Sequence, residues 1–421
     1  MDKGMTTKII AVVVVIIIVA AAAVVLLNNK GDDSTPGTVE VGAIYGNVNG
    51  DYYIDQTDID LVQDVIDGKK TLADWPLADA NVDGTVDSTD LEIVRTAAAG
   101  NSTTLYVVNY LGENVAVNYP VSNYATTGGT NFRSVVAVLG LANGMLANGT
   151  NSYISATLDK ALYEGREDGT ITKLSGTSLT TADVDTLISL KTSIVISEEN
   201  GMSSTSEIVQ LLTGAGIQYL ELNFKDTTTC AKSIKSLGIL FGKEDTAKEY
   251  NEWTESIMNT ITSNEGDKFG TATVLTVTMS NSVSGTESDY YAASNEVGGN
   301  NIADWTDKTR KVNTGDTWIL EYKADYIFHF KSEAFPKEIS ESTISNYSSY
   351  FKETDTYKNG GYYLINGVLP LPVRKEVIAE IMYSDCFDEG WAESLFQYYF
   401  THFLGQDFDV SSVTYVWNVT D

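Results

Sequence analysis

The chain has 421 residues, enough for two or three domains of ordinary size and a sizeable core. With 57 acidic against 27 basic residues its formal charge is −30, which leaves nothing to neutralise a row of phosphates and excludes nucleic acid as a partner. Two histidines and two cysteines exclude a site of three imidazoles and cysteine-based zinc or iron–sulfur centres.

In chain order, residues 9–27 are nineteen consecutive apolar residues, the length that crosses a hydrocarbon layer of about 30 Å as a helix. Lys3 and Lys8 precede this stretch while Asp32 and Asp33 follow it, so positive-inside bias puts the bulk of the chain outside the cell. We expect a single-pass membrane anchor over 1–30. A cleaved signal peptide is the competing reading, but the stretch is long for one and no lipobox cysteine follows it. Residues 31–42 form a polar tether with Gly and Pro and no apolar periodicity. Sequons at Asn101, Asn148, Asn346 and Asn418 are compatible with export.

Two acidic twelve-residue stretches follow, "NVNGDYYIDQTD" from Asn47 and "DANVDGTVDSTD" from Asp79, each leading into a helical pattern. Calcium takes six to eight oxygens, and such a loop supplies them when positions 1, 3, 5, 9 and 12 carry side-chain oxygens and position 7 a carbonyl. The second copy fits fully: Asp79, Asn81, Asp83, the carbonyl of Thr85, Asp87 and Asp90, with Gly84 at the sharp turn. The first offers Asn47, Asn49, Asp51, the carbonyl of Tyr53, Asp55 and Asp58, with Tyr52 where the turn wants glycine. One charge fewer and a strained turn predict two calcium sites of which the second is stronger.

From Thr104 the texture changes to Val-rich runs alternating with helical patterns, which argues for parallel α/β layers. "TLYVVNYLGENVAVNYP" reads as a hairpin turning at 112–114, "YPVSNYATTGGT" as a strand entering a Gly/Thr loop, and "NFRSVVAVLGLA" as a helix. Residues 193–197 read as a buried strand. Ala247, Tyr250, Trp253, Ile257 and Ile261 recur at steps of three and four, predicting one amphipathic helix of about 30 Å over 243–263. Beyond it, "TATVLTVTMSNS", "EYKADYIFHF" and "GGYYLING" read as strands and "RKEVIAEIMYSDCF" as a helix. The expected class is α/β, a two-lobed body with a single connecting helix. We place lobe 1 at 104–242, the helix at 243–268 and lobe 2 at 269–421, after a small all-α paired-loop module over 43–100 and the transmembrane helix. Cys230 and Cys386, far apart and in apolar or helical surroundings, read as buried core thiols, with a single bridge between them left open. His329, inside a strand-like run, reads by itself as a satisfied core histidine.

The paired loops, with Asp at position 12 and no entering helix, closely resemble the type I dockerin module. That resemblance implies calcium binding and a cohesin-bearing surface partner, selected partly by positions 10 and 11, here Gln56–Thr57 and Ser88–Thr89. The body resembles the substrate-binding proteins of ABC importers for iron–siderophores, haem and cobalamin. The stretches carrying it include "VVAVLGLANGML", "DVDTLISLKTSIVIS", "IKSLGILFGKEDTAKEYNEW", "EYKADYIFHF" and "LPLPVRKEVIAEIMY", in the expected order.

This second resemblance implies a ligand between the lobes, on loops at the carboxyl ends of strands, where open α/β sheets also bind ligands on physical grounds. Carried onto this chain, it points to Tyr124, Thr126, Thr127, Gly128, Glu198, Glu199, Asn200 and Met202 in lobe 1. In lobe 2 it points to Met279, Ser280, Asn281, Tyr290, Tyr291, His329, Phe330, Lys331 and Arg374. Aromatics would stack on a flat macrocycle or catechol, and Lys331 and Arg374 would meet ligand carboxylates or an anionic chelate. Members of that family pair a lobe-1 glutamate with a permease arginine; here Arg133 and Ser134 stand in that stretch, leaving Glu376 or Glu380 in lobe 2 as substitutes. No nucleophile elbow, phosphate loop or metal-ligand cluster points to an enzyme. The expected function is therefore capture of an iron-siderophore, haem or cobalamin-type chelate for an ABC permease, the alternative being dockerin-mediated surface assembly.

Overall fold

The computed structural model describes residues 39–150, 153–199, 205–303, 309–313 and 315–419. The expected membrane helix lies outside them, as do Asn200 and Met202. Among the described residues no helix is long and apolar enough to cross a membrane.

The amino-terminal module is built on two helices, α1 (Gln56–Ile66) and α2 (Ser88–Ala98). Each starts with the same capping box: Asp55 and Asp87 cap the first turn, while Asp58 and Asp90 at the third helical position reach back to the cap N–H. The aspartates at loop positions 9 and 12 are therefore helix starters as well as candidate ligands. Val48, Val62, Ala78, Ala80, Leu91 and Val94 form the module's own small core. The hairpin β1 (Thr103–Val108) and β2 (Asn114–Tyr119) follows, antiparallel and turning through residues 109–113.

Lobe 1 carries a parallel five-stranded sheet, ordered β5–β4–β3–β6–β7. Its strands are β3 (Tyr124–Thr127), β4 (Met145–Gly149), β5 (Thr172–Lys173), β6 (Ile194–Glu198) and β7 (Gln218–Leu222). Helices α3 (Thr130–Val138), α4 (Lys160–Asp168), α5 (Thr181–Ser189) and α6 (Glu207–Gly214) connect them. Because β4 lies on one side of β3 and β6 on the other, the loops after β3 and β6 diverge and leave a crevice at their carboxyl ends.

Helix α7 (Thr227–Phe241) leads into the connecting helix α8 (Glu244–Glu265), 22 residues and so about 33 Å long. Its buried face is the predicted one: Ala247, Tyr250, Trp253, Ile257 and Ile261. In lobe 2, β8 (Ala272–Thr278), β12 (Tyr326–Lys331) and β13 (Tyr362–Asn366) run parallel, and β10 (Gly299–Asn301) pairs parallel with β8. The edges are antiparallel: β9 (Ser282–Val283) and β11 (Arg310–Lys311) on one side, β14 (Val416–Asn418) on the other. Helices α9 (Asp289–Glu296), α10 (Glu341–Ser348), α11 (Asp355–Lys358), α12 (Leu371–Met382) and α13 (Trp391–Tyr398) complete it.

One core runs through both lobes, joining α3, α7, α8, α12 and α13 through residues such as Phe132, Leu237, Trp253, Val373 and Phe396. Separate clusters fill the outer faces of the two sheets. Cys230 and Cys386 are both free thiols; Cys230 is buried as expected, whereas Cys386 is only half-buried because it falls after the end of α12.

Candidate functional site between the lobes

The carboxyl ends of the two sheets meet around Arg374, near the start of α12. This arginine is fully buried. Its Nη1 donates to Asp289 Oδ2 at 2.9 Å, and its Nη2 donates to Asn131 Oδ1 on the first turn of α3 in the other lobe. The guanidinium lies 4.7 Å from the ring centre of Tyr290, which stacks in turn on Phe330 at 4.3 Å. Asn131 also donates to the Phe224 carbonyl at 2.9 Å. Next in sequence, Lys375 pairs with Glu296 at 2.5 Å and donates to Thr227 Oγ1, and Glu296 accepts the Thr227 N–H at 3.0 Å. The lobes are thus joined by two buried cations from one helix turn, each answered from both sides.

Above this floor lie Glu198 and Glu199, at the end of β6. Gly128 and Gly129 let the backbone approach Glu198: a Cβ on Gly129 would lie 2.8 Å from Glu198 Oε2. Glu198 accepts the Gly129 N–H at the positive end of α3, and Glu199 accepts the Phe224 N–H at 3.0 Å. Burial nevertheless dominates. It pushes the Glu198 carboxyl up to about 7, with the Asp289 charge adding to the rise and Arg133 and Arg374 opposing it. Glu199 is pushed up to about 8, by burial first and then by the charge of Glu198. The pair therefore titrates near neutrality.

Of the other expected site residues, Thr127 donates to Ser197 Oγ at 2.9 Å beneath Gly128, and Tyr290 donates to the Gly367 carbonyl at 3.0 Å. Tyr291 is half-buried beside it, and Met279 is 68 % exposed on the rim after β8. Lys331 donates to the Ser332 carbonyl and lies 5.3 Å from the Tyr153 ring centre, while Asn281 donates to the Val312 carbonyl at 2.6 Å.

Several expectations need correcting. Tyr124 is buried at the amino end of β3, its hydroxyl donating to the Leu141 carbonyl, so it faces the core. Thr126 is buried too, accepting from Asn148 Nδ2 at 3.0 Å. His329 is a fully buried core histidine, Nδ1 at 2.6 Å from the Tyr362 hydroxyl and Nε2 at 2.5 Å from the Met279 carbonyl. Burial holds its pKa down to about 4, so it stays neutral. Arg374 directs both Nη groups at Asp289 and Asn131 and is fully buried, which leaves only its Nε without a partner. Of the two suggested permease contacts, Glu376 is fully buried and Glu380 is half-buried, accepting the Gly390 and Ala392 N–H groups at 2.9 Å each. Arg133, in the stretch where the family has its glutamate, is buried, pairs with Asp159 at 3.5 Å and donates to the Tyr153 carbonyl. Sequence reasoning missed Asn131, Asp289 and the Lys375–Glu296–Thr227 group, whose partners lie up to 243 positions apart.

In the module, the two loops wind alike at positions 3, 5 and 7. Asn49 and Asn81 accept the N–H groups of Asp51 and Asp83 at 3.0 and 2.9 Å, and those aspartates accept from Tyr53 and Thr85 at 2.8 and 2.9 Å. They differ at position 1. Asp79 accepts the Asp83 and Gly84 N–H groups at 3.1 and 2.8 Å, whereas Asn47 donates to the Asp51 carbonyl at 2.7 Å and leaves its own Oδ1 buried without a partner. An orphaned buried oxygen at the first ligand position fits a cation there. No group of three or more His, Cys, Asp or Glu side chains converges among the described residues; the loop carboxylates accept backbone N–H groups instead. The recognition pairs Gln56–Thr57 and Ser88–Thr89 are exposed at the helix starts.

A model of the periplasmic binding protein family matches residues 125–367, more than half of the chain. The chain belongs to that family. A type I dockerin domain precedes the binding protein at residues 45–97, and domains of that type typically bind calcium. The TroA-like periplasmic binding protein FepB of Veillonella parvula superposes with a TM-score of 0.57 at 15 % identity, over 75 % of this chain and 99 % of that one. CeuE of Helicobacter pylori with Ni(II) bound gives 0.56 at 14 %, over 73 % and 98 %. An ABC transporter solute-binding protein of Sulfurospirillum deleyianum gives 0.53 at 11 %, over 73 % and 98 %. At such identities the likeness establishes the fold. No curated protein matches the sequence. The family is a solute-binding one and not a class of enzyme.

Proposed function

We propose that this binding protein captures a metal-bearing organic chelate of the iron-siderophore, haem or cobalamin type between its lobes and hands it to an ABC permease. The observation that carries this reading is the meeting of the two sheets' carboxyl ends at Arg374, Asn131 and Asp289, with Glu198, Glu199, Gly128 and Tyr290 around it. Met279, Asn281, Tyr291 and Lys331 would line the same approach, with Thr127 buried beneath it. Arg374 and Lys375 are already paired with Asp289 and Glu296, whereas Glu198 and Glu199, at the end of β6, accept backbone N–H groups and have no cation paired with them among the described residues, so the cleft favours a chelate that presents positive charge or hydrogen-bond donors. CeuE, a similar fold, is described with Ni(II) bound, which agrees with a metal-bearing ligand.

The apolar stretch 9–27 would hold the body outside the cell, and two calcium ions, the second held more tightly, would fold the dockerin. In the second site Gly84 takes the turn at φ +90 and Asp79 adds a charge that Asn47 lacks. Titration with ferric siderophores, haem and cobalamin, read by tyrosine and tryptophan fluorescence, tests the reading; silence across all three would sink it. A second role, surface assembly through a cohesin-bearing partner, is favoured by the exposure of Gln56–Thr57 and Ser88–Thr89. Recovery of a cohesin-bearing protein that does not depend on calcium would count against it.

A further inference from the structure

The first calcium loop departs from its motif at Tyr52, and the structure gives that departure a use. The Tyr52 hydroxyl accepts from Asn251 Nδ2 on α8 at 2.9 Å, and the same amide donates to the Ala231 carbonyl on α7 at 2.8 Å. Lys235 on α7 donates to the Gly50 carbonyl at 2.6 Å, with its ammonium 6.0 Å from the Tyr52 ring centre. Tyr53 donates to Asp245 on α8 at 2.8 Å. Loop positions 4, 6 and 7 are thus fastened to the two helices that end lobe 1 and join the lobes. At the matching positions the second loop has Val82, Gly84 and Thr85; open space surrounds Gly84, and the Thr85 hydroxyl donates within its own loop. Tyr52 stays outside the left-handed region that Gly84 occupies.

Three features make this joint sensitive to a cation. Both surfaces are acidic: Asp51 of the loop and Glu244 and Asp245 of α8 gather around Tyr53, Glu252 and Glu255 lie near Tyr52, and Lys235 and Lys248 are the cations beside these two rings. The joint borders a half-open cleft of about 320 Å³, lined by Tyr52, Asn251, Cys230 and Met258 and reaching Asn131 and Leu371 at the lobe boundary. Asn47 Oδ1, buried and unpartnered, lacks a positive group in that loop. We infer that calcium in the first loop is a latch: by ordering Tyr52 and Tyr53 and neutralising the loop carboxylates, it clamps the dockerin onto α7 and α8, so that calcium stabilises the binding protein's body as well as the module. The inference rests on calcium binding by the first loop, which the test measures separately.

The test is amide hydrogen exchange on the full chain, with and without calcium at constant ionic strength, with calorimetry counting bound calcium in parallel. At calcium about 100-fold above its dissociation constant, any opening that requires its release slows by up to about 100-fold. That slowing is expected in residues 231–236 and 245–255 as well as in the module. Asp51→Asn should remove one calorimetric site and with it the protection of α7 and α8. Asn251→Ala, which leaves every loop oxygen in place, should still bind calcium but lose most of the protection of α7 and α8. Unchanged exchange in these helices while the first loop is filled would overturn the latch. Absence of a first-loop site in calorimetry would overturn it too, by removing the calcium reading on which it depends.

Discussion

Arg374 does what no neighbour in sequence could have announced: it ties α12 to Asp289 in its own lobe and to Asn131 in the other. Removing a buried partner leaves uncompensated polar groups, so Arg374→Ala should cost about 3–5 kcal/mol in chemical denaturation. Arg374→Lys, keeping the charge but losing the fork, should recover only part of it. The raised carboxyls set a pH dependence of definite sign. Folded Glu198 and Glu199 hold protons that the unfolded chain releases near 4.5. Their contribution is therefore fully present below that pH and is lost as pH rises through about 7 and 8. We expect Glu198→Gln to flatten the fall in melting temperature between pH 5 and 8, recovering on the order of 2 kcal/mol at pH 8. A slope unchanged by the substitution would show that this carboxyl is not the group titrating. His329 is the residue where plain chemistry served better than resemblance. A lone histidine in an apolar strand is a core residue, and His329→Phe should cost stability while leaving the ligand affinity of the folded protein unchanged.

At the scale of elements, much was legible. The 3.6-residue spacing from Ala247 to Ile261 dictated α8, and alternating apolar runs dictated the central strands, because a buried face leaves a period in the sequence. The antiparallel edge strands β9, β11 and β14 were not legible: two or three residues are too few to show a period, and their pairing is fixed by the strands beside them. The repeated loops were the clearest signal in the chain, yet their double use was hidden. Asp90 accepts the Asn81 N–H at 3.1 Å and the Asp87 N–H at 2.9 Å, so it starts α2 even before any ion is considered. Asp90→Ala should lower module stability by about 1–2 kcal/mol in chelator, as loss of a cap does, and should abolish the second loop's share of the gain on adding calcium. Circular-dichroism melts with calcium and with chelator separate the two effects.

At the scale of the whole molecule, a tethered module and an independent receptor were to be expected from composition, since the boundary near residue 100 is a change of texture. The folded chain instead shares contacts across that boundary. Ile44 bridges to Val107, the Tyr45 N–H donates to the Tyr106 carbonyl at 2.9 Å, and Ile44 and Ala97 enter the core that runs through both lobes. What was legible of the crevice was the strands that frame it, β3 and β6. What was not was its polarity, because Arg374 and Lys375 turned out to be paired with Asp289 and Glu296 in their own lobe and hydrogen-bonded to Asn131 and Thr227 in the other. The most direct measurement is calorimetric titration of the full chain with ferric siderophore, haem and cobalamin, run beside the variant Gly129→Val, whose side chain would press into Glu198 at the mouth of the crevice. Saturable binding of one chelate by the native chain, weakened at least about tenfold in the variant, is the expected result. Binding of equal strength in both, or none in the native chain, would contradict capture between the lobes.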